Sequence, residues 1–220
     1  MVGLFKHGAA GGLLVLAAML AATASQAAGG ERLAYGGPAN QLLDNRYISV
    51  GENTRAPIGW TGFCIRYKPE CDTLPSLPRD IVLTPQAWSD MTKVNNWVND
   101  NIKPITDLDH WGVVEQWDYP DDGYGDCEDY VLLKRRMLTQ AGWPRESLLI
   151  TVVRDKKGEG HAVLTVKTDK GEFVLDNQNE DILLWSDTGY RFVKRQSQPD
   201  QNVWVDLDDP RAAVATATSR

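Results

Sequence analysis

Gly125-Asp126-Cys127-Glu128-Asp129-Tyr130, running on through Val131-Leu132-Leu133 to Gly142-Trp143-Pro144, decides the fold of this 220-residue chain. Tyr130, Leu133, Met137 and Ala141 recur at helical spacing, Lys134-Arg135-Arg136 fall largely on another stripe, and Gly142 followed by Pro144 is a helix stop. Upstream, Asp118 to Gly125 contains Pro120, Gly123 and Gly125 and reads as a loop. Cys127 therefore stands at the N-terminus of a helix with one buried face. A lone cysteine is most often a small buried hydrophobe. One set among Asp126, Glu128 and Asp129 is poorly suited to that role.

Working outward, Leu148 to Val153, His161 to Val166 and Glu172 to Asp176 are β-branched runs bounded by turn residues, with Asp169-Lys170-Gly171 as a tight hairpin turn. Tyr190 to Val193 and Val203 to Val205 are further strands. Before the cysteine, Thr84 as N-cap and Pro85 at the first helical position open a helix whose Trp88, Met91, Val94, Val98 and Ile102 share a face, and Pro104 ends it. A helix feeding an antiparallel meander is the α+β class. Residues 28–59, rich in Gly, Pro, Asn and Arg, read as an irregular N-terminal arm, 60–206 as the folded domain and 207–220 as a disordered tail.

The first 27 residues differ from the rest. Lys6 is their only charge, Leu13 to Leu20 is a short apolar core, and Ser25-Gln26-Ala27 presents small residues where a signal peptidase cuts. Cleavage after Ala27 would leave 220 − 27 = 193 residues and move the formal net charge from −7 to −8. That acidic balance argues against nucleic-acid binding and against a polybasic membrane patch. No later run approaches the ~20 apolar residues of a membrane span, so no stable anchor is expected after the leader is removed.

Export exposes three thiols, Cys64, Cys71 and Cys127, to an oxidising compartment, where an odd number cannot all pair within one molecule. Cys64 and Cys71 bracket a short Pro-containing segment, and a bridge there is worth roughly 2 to 3 kcal/mol in the chain-entropy view. A zinc half-site fits less well, having no His or second Cys pair nearby. Cys127 is then the free thiol.

A nucleophilic cysteine needs a base, and the base needs a third group to orient it. His7 lies in the leader and His110 in an acidic segment, leaving His161 at a strand start. Asp176 ends the next strand. With the turn at Lys170-Gly171, the two fall at the same end of the hairpin, on strands about 4.8 Å apart. The helix N-terminus lowers a thiol pKa and can hold an oxyanion, whereas Asp126, Glu128 and Asp129 oppose a thiolate. A charged His161 or a bound cation could compensate. Asp126 and Glu128 offer hard oxygen ligands for calcium, although the same carboxylates also serve as helix caps. Gln116 and Trp117 are candidates for a second oxyanion donor beside the Cys127 N–H.

Gly125-Asp126-Cys127-Glu128-Asp129-Tyr130, Val152-Val153-Arg154-Asp155, Gly160-His161-Ala162-Val163-Leu164 and Val174-Leu175-Asp176-Asn177, in that order, resemble the bacterial transglutaminase-like cysteine proteinases, the LapG-like family. The resemblance covers roughly residues 60 to 206. It implies a papain-like α+β fold, a periplasmic location, a Cys127-His161-Asp176 triad and calcium held by Asp126 and Glu128. It further implies a protein substrate such as a large surface adhesin, whose cleavage releases biofilm cells, and an inner-membrane receptor that responds to a cyclic dinucleotide. The same three residues would also serve an acyl transferase, whether a transglutaminase, a transpeptidase or a cell-wall amidase, because the acceptor depends on water exclusion rather than on the triad.

Overall fold

The structure, a computed structural model, describes residues 45–72 and 75–209. The expected signal peptide and residues 210–220 of the expected tail lie outside the described residues.

In chain order the elements are β1 (Ser49–Thr54), α1 (Ile58–Arg66), α2 (Lys68–Cys71), α3 (Pro85–Asn101), β2 (Lys103–Pro104), α4 (Asp107–Trp111), β3 (Tyr124–Gly125), α5 (Cys127–Gln140), β4 (Leu148–Arg154), β5 (Gly160–Thr168), β6 (Gly171–Leu175), β7 (Leu183–Leu184), β8 (Arg191–Gln196) and β9 (Trp204–Asp208). Seven strands form one sheet in the order β1-β9-β8-β4-β5-β6-β7, antiparallel at each pairing. β2 and β3 make a small parallel pair of their own. The α+β expectation holds.

Side chains alternate across the pleat, so successive residues of one strand serve opposite faces. On β5, Leu164 and Val166 join Val131 and Leu138 of α5 and Ile150 of β4 in the main core. Val163 points the other way, into a second cluster with Ile48, Val174, Phe192 and Leu207. The hairpin pairs Thr168 with Gly171 and Leu164 with Leu175. α3 keeps the expected cap, the Thr84 hydroxyl accepting from the Ala87 N–H at 3.0 Å, and packs Val98 and Ile102 on Tyr130 and Leu133 of α5.

Two sequence expectations need correction. The arm read as irregular contains β1, which pairs with β9 through a bulge between Val50 and Asn53. Its side chains are mostly exposed, so it carries no alternating apolar signal. The domain also extends past residue 206, because Leu207 and Asp208 belong to β9 and Leu207 is buried against Ile48. The basic run on α5 is largely buried. Lys134 and Arg135 are buried because α3 and the sheet cover this helix from two sides, and Arg135 donates to the Leu148 carbonyl at 3.1 Å and to Gln201 Oε1 at 2.5 Å.

Cys64 and Cys71 are joined, with Cα atoms 5.5 Å apart, and Cys127 is free. The bridge ties α1 to α2 beside an aromatic stack of Trp60, Phe63, Tyr67 and Tyr119. α1 approaches this region closely enough that a Cβ on Gly59 would stand 2.1 Å from the Trp117 ring. Among the described residues no helix is long and apolar enough to cross a membrane.

Candidate active site

The antiparallel register of β5 and β6 brings His161 to Asp176 as the hairpin arithmetic predicted. Nε2 of His161 lies 2.8 Å from Asp176 Oδ1, and both side chains are almost fully buried. Burial alone would raise the Asp176 pKa. The His161 hydrogen bond and charge, the Tyr190 hydroxyl and the Gln178 N–H outweigh it and hold this carboxylate below its ordinary value. With Nε2–H given to Asp176, the other ring nitrogen is left as the base. Nδ1 lies 3.4 Å from the Gln178 side-chain amide nitrogen.

Cys127 occupies the first position of α5, and the Ala162 N–H, next to His161 on β5, donates to its Sγ at 3.4 Å. Cys127 and His161 line one cleft of about 380 Å³, together with Ile58, Trp117, Val152 and Lys194. The Cys127 N–H lies in the first helical turn, where N–H groups lack intrahelical acceptors and suit a developing oxyanion. Of the suggested second donors, the Gln116 main-chain N–H is spent on Asp107 Oδ2 and the Trp117 ring N–H on Glu115 at 2.7 Å.

The thiol donates to Glu128 Oε2 at 3.2 Å. Burial, then the charges of Glu128 and Asp126, push its pKa well above the ordinary thiol value, and the Ala162 N–H pulls weakly the other way. Glu128 is itself raised far above a normal carboxylate by burial, by its hydrogen bond to Asp126 and by the charges of Asp126 and Asp129. Asp129 is raised to about 8, chiefly by burial. Both of its oxygens are already committed, Oδ1 to the Asp118 N–H at 2.7 Å and Oδ2 to the Asp126 N–H at 3.3 Å. Gly125 makes room for that carboxylate, since a Cβ there would stand 2.7 Å from Asp129 Oδ2. Gly125→Ala is expected to cost roughly 2 kcal/mol or more by displacing Asp129 from two part-buried N–H groups, read as a lowered Tm.

Two residues of the site escaped sequence reasoning. Tyr190 donates to Asp176 Oδ2 at 2.5 Å and sets its ring edge-on to His161, 5.7 Å between centroids. The sequence marks it only as the start of a strand. Tyr190→Phe should lower turnover roughly tenfold while leaving the fold intact, as removal of an orienting partner does, and an unchanged kcat would show that Asp176 needs no second donor. Asp107 is the other, buried at the start of α4 and raised to about 6, first by burial. The β2–β3 pairing, Pro104 opposite Gly125, carries it to Asp126 across a separation of nineteen residues that local patterning does not bridge.

Asp126, Cys127 and Glu128 have candidate ligand atoms within 4.8 Å of one another, as do Asp107, Asp126 and Asp129. Asp126 Oδ1 is buried without a hydrogen-bond partner. A concentration of negative oxygen atoms that raises its own pKa values, with one oxygen orphaned, fits a hard divalent cation.

The family model of the bacterial transglutaminase-like cysteine proteinases matches residues 50–212. The chain belongs to that family. The match makes it a cysteine peptidase by descent and takes in the sheet from the second residue of β1 onward. Among solved structures, this transglutaminase-like proteinase is similar to the calcium-bound LapG of Legionella pneumophila, with 25% identity over 56% of this chain and 71% of that one and a TM-score of 0.48. The EGTA-treated LapG of the same organism is 23% identical over 60% and 75% of the two chains, with a TM-score of 0.45. No curated protein sequence matches the chain.

Proposed function

We propose that the chain is an exported cysteine endopeptidase in which Cys127 is the nucleophile, His161 its base and Asp176 the orienting carboxylate. The observation that carries this reading is the buried 2.8 Å contact of His161 Nε2 with Asp176 beside a free cysteine at a helix N-terminus in the same cleft. His161 Nδ1 takes the thiol proton, Sγ attacks a peptide carbonyl, and the Cys127 N–H stabilises the oxyanion. The imidazolium then returns its proton to the leaving amine, and a water deprotonated by Nδ1 hydrolyses the thioester. Asp176 and Tyr190 keep the ring in the tautomer that leaves Nδ1 unprotonated.

Asp126 and Glu128, the ligands suggested by the family resemblance, would hold calcium, with Asp107 close enough to contribute. The ion would supply positive charge that cancels the carboxylates opposing a thiolate. Because the Glu128 carboxylate accepts the thiol hydrogen bond, engaging it elsewhere leaves the thiol proton to His161.

The leader-like first 27 residues support a periplasmic location. The family resemblance supports a large surface adhesin as substrate, a role in biofilm release, and sequestration by an inner-membrane receptor responding to a cyclic dinucleotide. The test compares surface and secreted proteins of cells with and without the chain. One large protein that stays on the surface in its absence is expected, and unchanged protein locations overturn the adhesin assignment. Purified protein given peptide and a labelled amine decides the acceptor, since incorporation of the amine without hydrolysis would make the chain an acyl transferase.

A further inference from the structure

Arg135 of α5 takes no part in the mechanism above, yet it is only 5% exposed. Its Nε donates to the Leu148 carbonyl at 3.1 Å and its Nη2 to Gln201 Oε1 at 2.5 Å, both neutral acceptors, and among the described residues Nη1 has no acceptor. The acids that share its surroundings are engaged elsewhere. Glu70 pairs with Arg145 Nη2 at 3.4 Å, and Glu146 with Arg79 Nε at 3.3 Å. A buried guanidinium answered only by neutral oxygens is costly, and a bound anion removes that cost. Arg135 borders a cavity of about 230 Å³ that Arg145, Ser76, Ser197 and Leu149 also line. A smaller one, of about 80 Å³, adjoins the same two arginines and Arg136. Neither shares a lining residue with the cleft of Cys127. The larger cavity falls below the about 300 to 1,000 Å³ of sites for drug-sized ligands, so its occupant is small.

We propose that this cavity is a second ligand site, which binds a phosphate group between the Arg135 and Arg145 guanidiniums with the Ser76 and Ser197 hydroxyls as further donors. The two guanidiniums are held in place before any ligand arrives. Gln201, which accepts from Arg135, donates through its own amide to the Glu70 carbonyl at 2.7 Å, and Arg145 Nη1 donates to that same carbonyl at 2.7 Å. One bonded chain therefore fixes both forks, and fixed planar forks are suited to phosphate oxygens. The donors come from four segments: α5, the turn before β4, the stretch before α3 and the β8–β9 turn. A tetrahedral anion has oxygens to meet donors from several directions, whereas a carboxylate offers two in one plane. Burial, then the charge of Arg145, pulls Arg135 down to about 9, and an anion opposes both causes. In a chain of formal net charge −7 the pairing of two guanidiniums at one cavity is not a by-product of a basic surface. The site is independent of the Cys127, His161 and Asp176 assignment.

The experiment titrates inorganic phosphate into the full chain by calorimetry and reads Tm beside it, in calcium-free buffer with chloride as the reference salt at matched ionic strength. Saturable binding of one phosphate is expected, with a Tm rise of roughly 3 °C or more at saturation. Arg135→Met should lose both. Should that variant not fold, Arg145→Met decides, because the Arg145 side chain is 27% exposed and its loss leaves no buried cavity of its size. Arg145→Lys keeps the charge without the fork and should bind roughly tenfold more weakly. Glycerol 2-phosphate distinguishes the source of the group. Tighter binding than inorganic phosphate identifies a phosphate ester and weaker binding the free ion, and either supports the site. Absence of saturable heat together with an unmoved Tm overturns the proposal. So does a Tm rise that persists undiminished in Arg145→Met, since that is the general stabilisation phosphate gives a fold from which it is excluded.

Discussion

Cys127→Ala is expected to abolish peptide cleavage, a loss of about 10³-fold or more in kcat, with the fold and substrate binding retained. The expectation rests on Sγ being the only nucleophile the geometry supplies, since His161 is held by Asp176 and no other thiol is free. Asp176→Asn should approach the same loss by a different route. An amide at this position could present its NH₂ to Nε2, which favours the tautomer carrying hydrogen on Nδ1 and leaves no base for the thiol. The two variants differ in reactivity. Alanine removes alkylation altogether, whereas Asn leaves a thiol that alkylates slowly with a changed pH profile. Full cleavage by purified Cys127→Ala would end the mechanism.

Calcium withdrawal should be nearly as severe and should depend on pH in a defined direction. In the ion-free protein Asp107 and Asp129 have folded pKa values of about 6 and about 8, and Glu128 is also raised, all with burial as the largest cause. A group raised above its unfolded value favours the folded state below its unfolded pKa and loses that contribution as pH rises through the folded one. Ion-free protein should therefore melt at progressively lower temperature between about pH 4 and pH 8. Calcium binds the ionised carboxylates, so its effect should grow over the same interval, reaching about 2.7 kcal/mol at a free concentration one hundred times Kd. Cleavage and Cys127 alkylation should fall together under chelator and recover with calcium. If chelator at pH 8 changes neither Tm nor alkylation, Asp126 and Glu128 are helix-capping acids and not ligands.

What the sequence made legible was whatever local pattern encodes. The β5–β6 hairpin followed from Asp169-Lys170-Gly171, and with it the juxtaposition of His161 and Asp176; the start of α3 followed from Thr84-Pro85. α1 was not legible, because Ile58 and Ile65 on that helix are exposed and Gly59 and Gly62 interrupt the apolar spacing. The burial of Lys134 and Arg135 was not legible for the opposite reason. Charged side chains on a helix normally mark its wet face, and only tertiary packing shows that this helix lacks one on that side. Asp107 and Tyr190 reach the site through strand pairing across long separations, for which a single sequence carries no periodic signal.

The indoles of Trp60, Trp117 and Trp204 form a triangle with ring centroids 6.3 to 6.4 Å apart, and Trp117 is the member that lines the cleft. Excited states of rings so close mix, and their coupling gives a circular dichroism signal sensitive to small rotations of any one ring. The molecule therefore contains an intrinsic optical gauge of its own cleft, by which arrival of a peptide against Trp117 can be followed in unlabelled protein, even when Cys127 has been replaced.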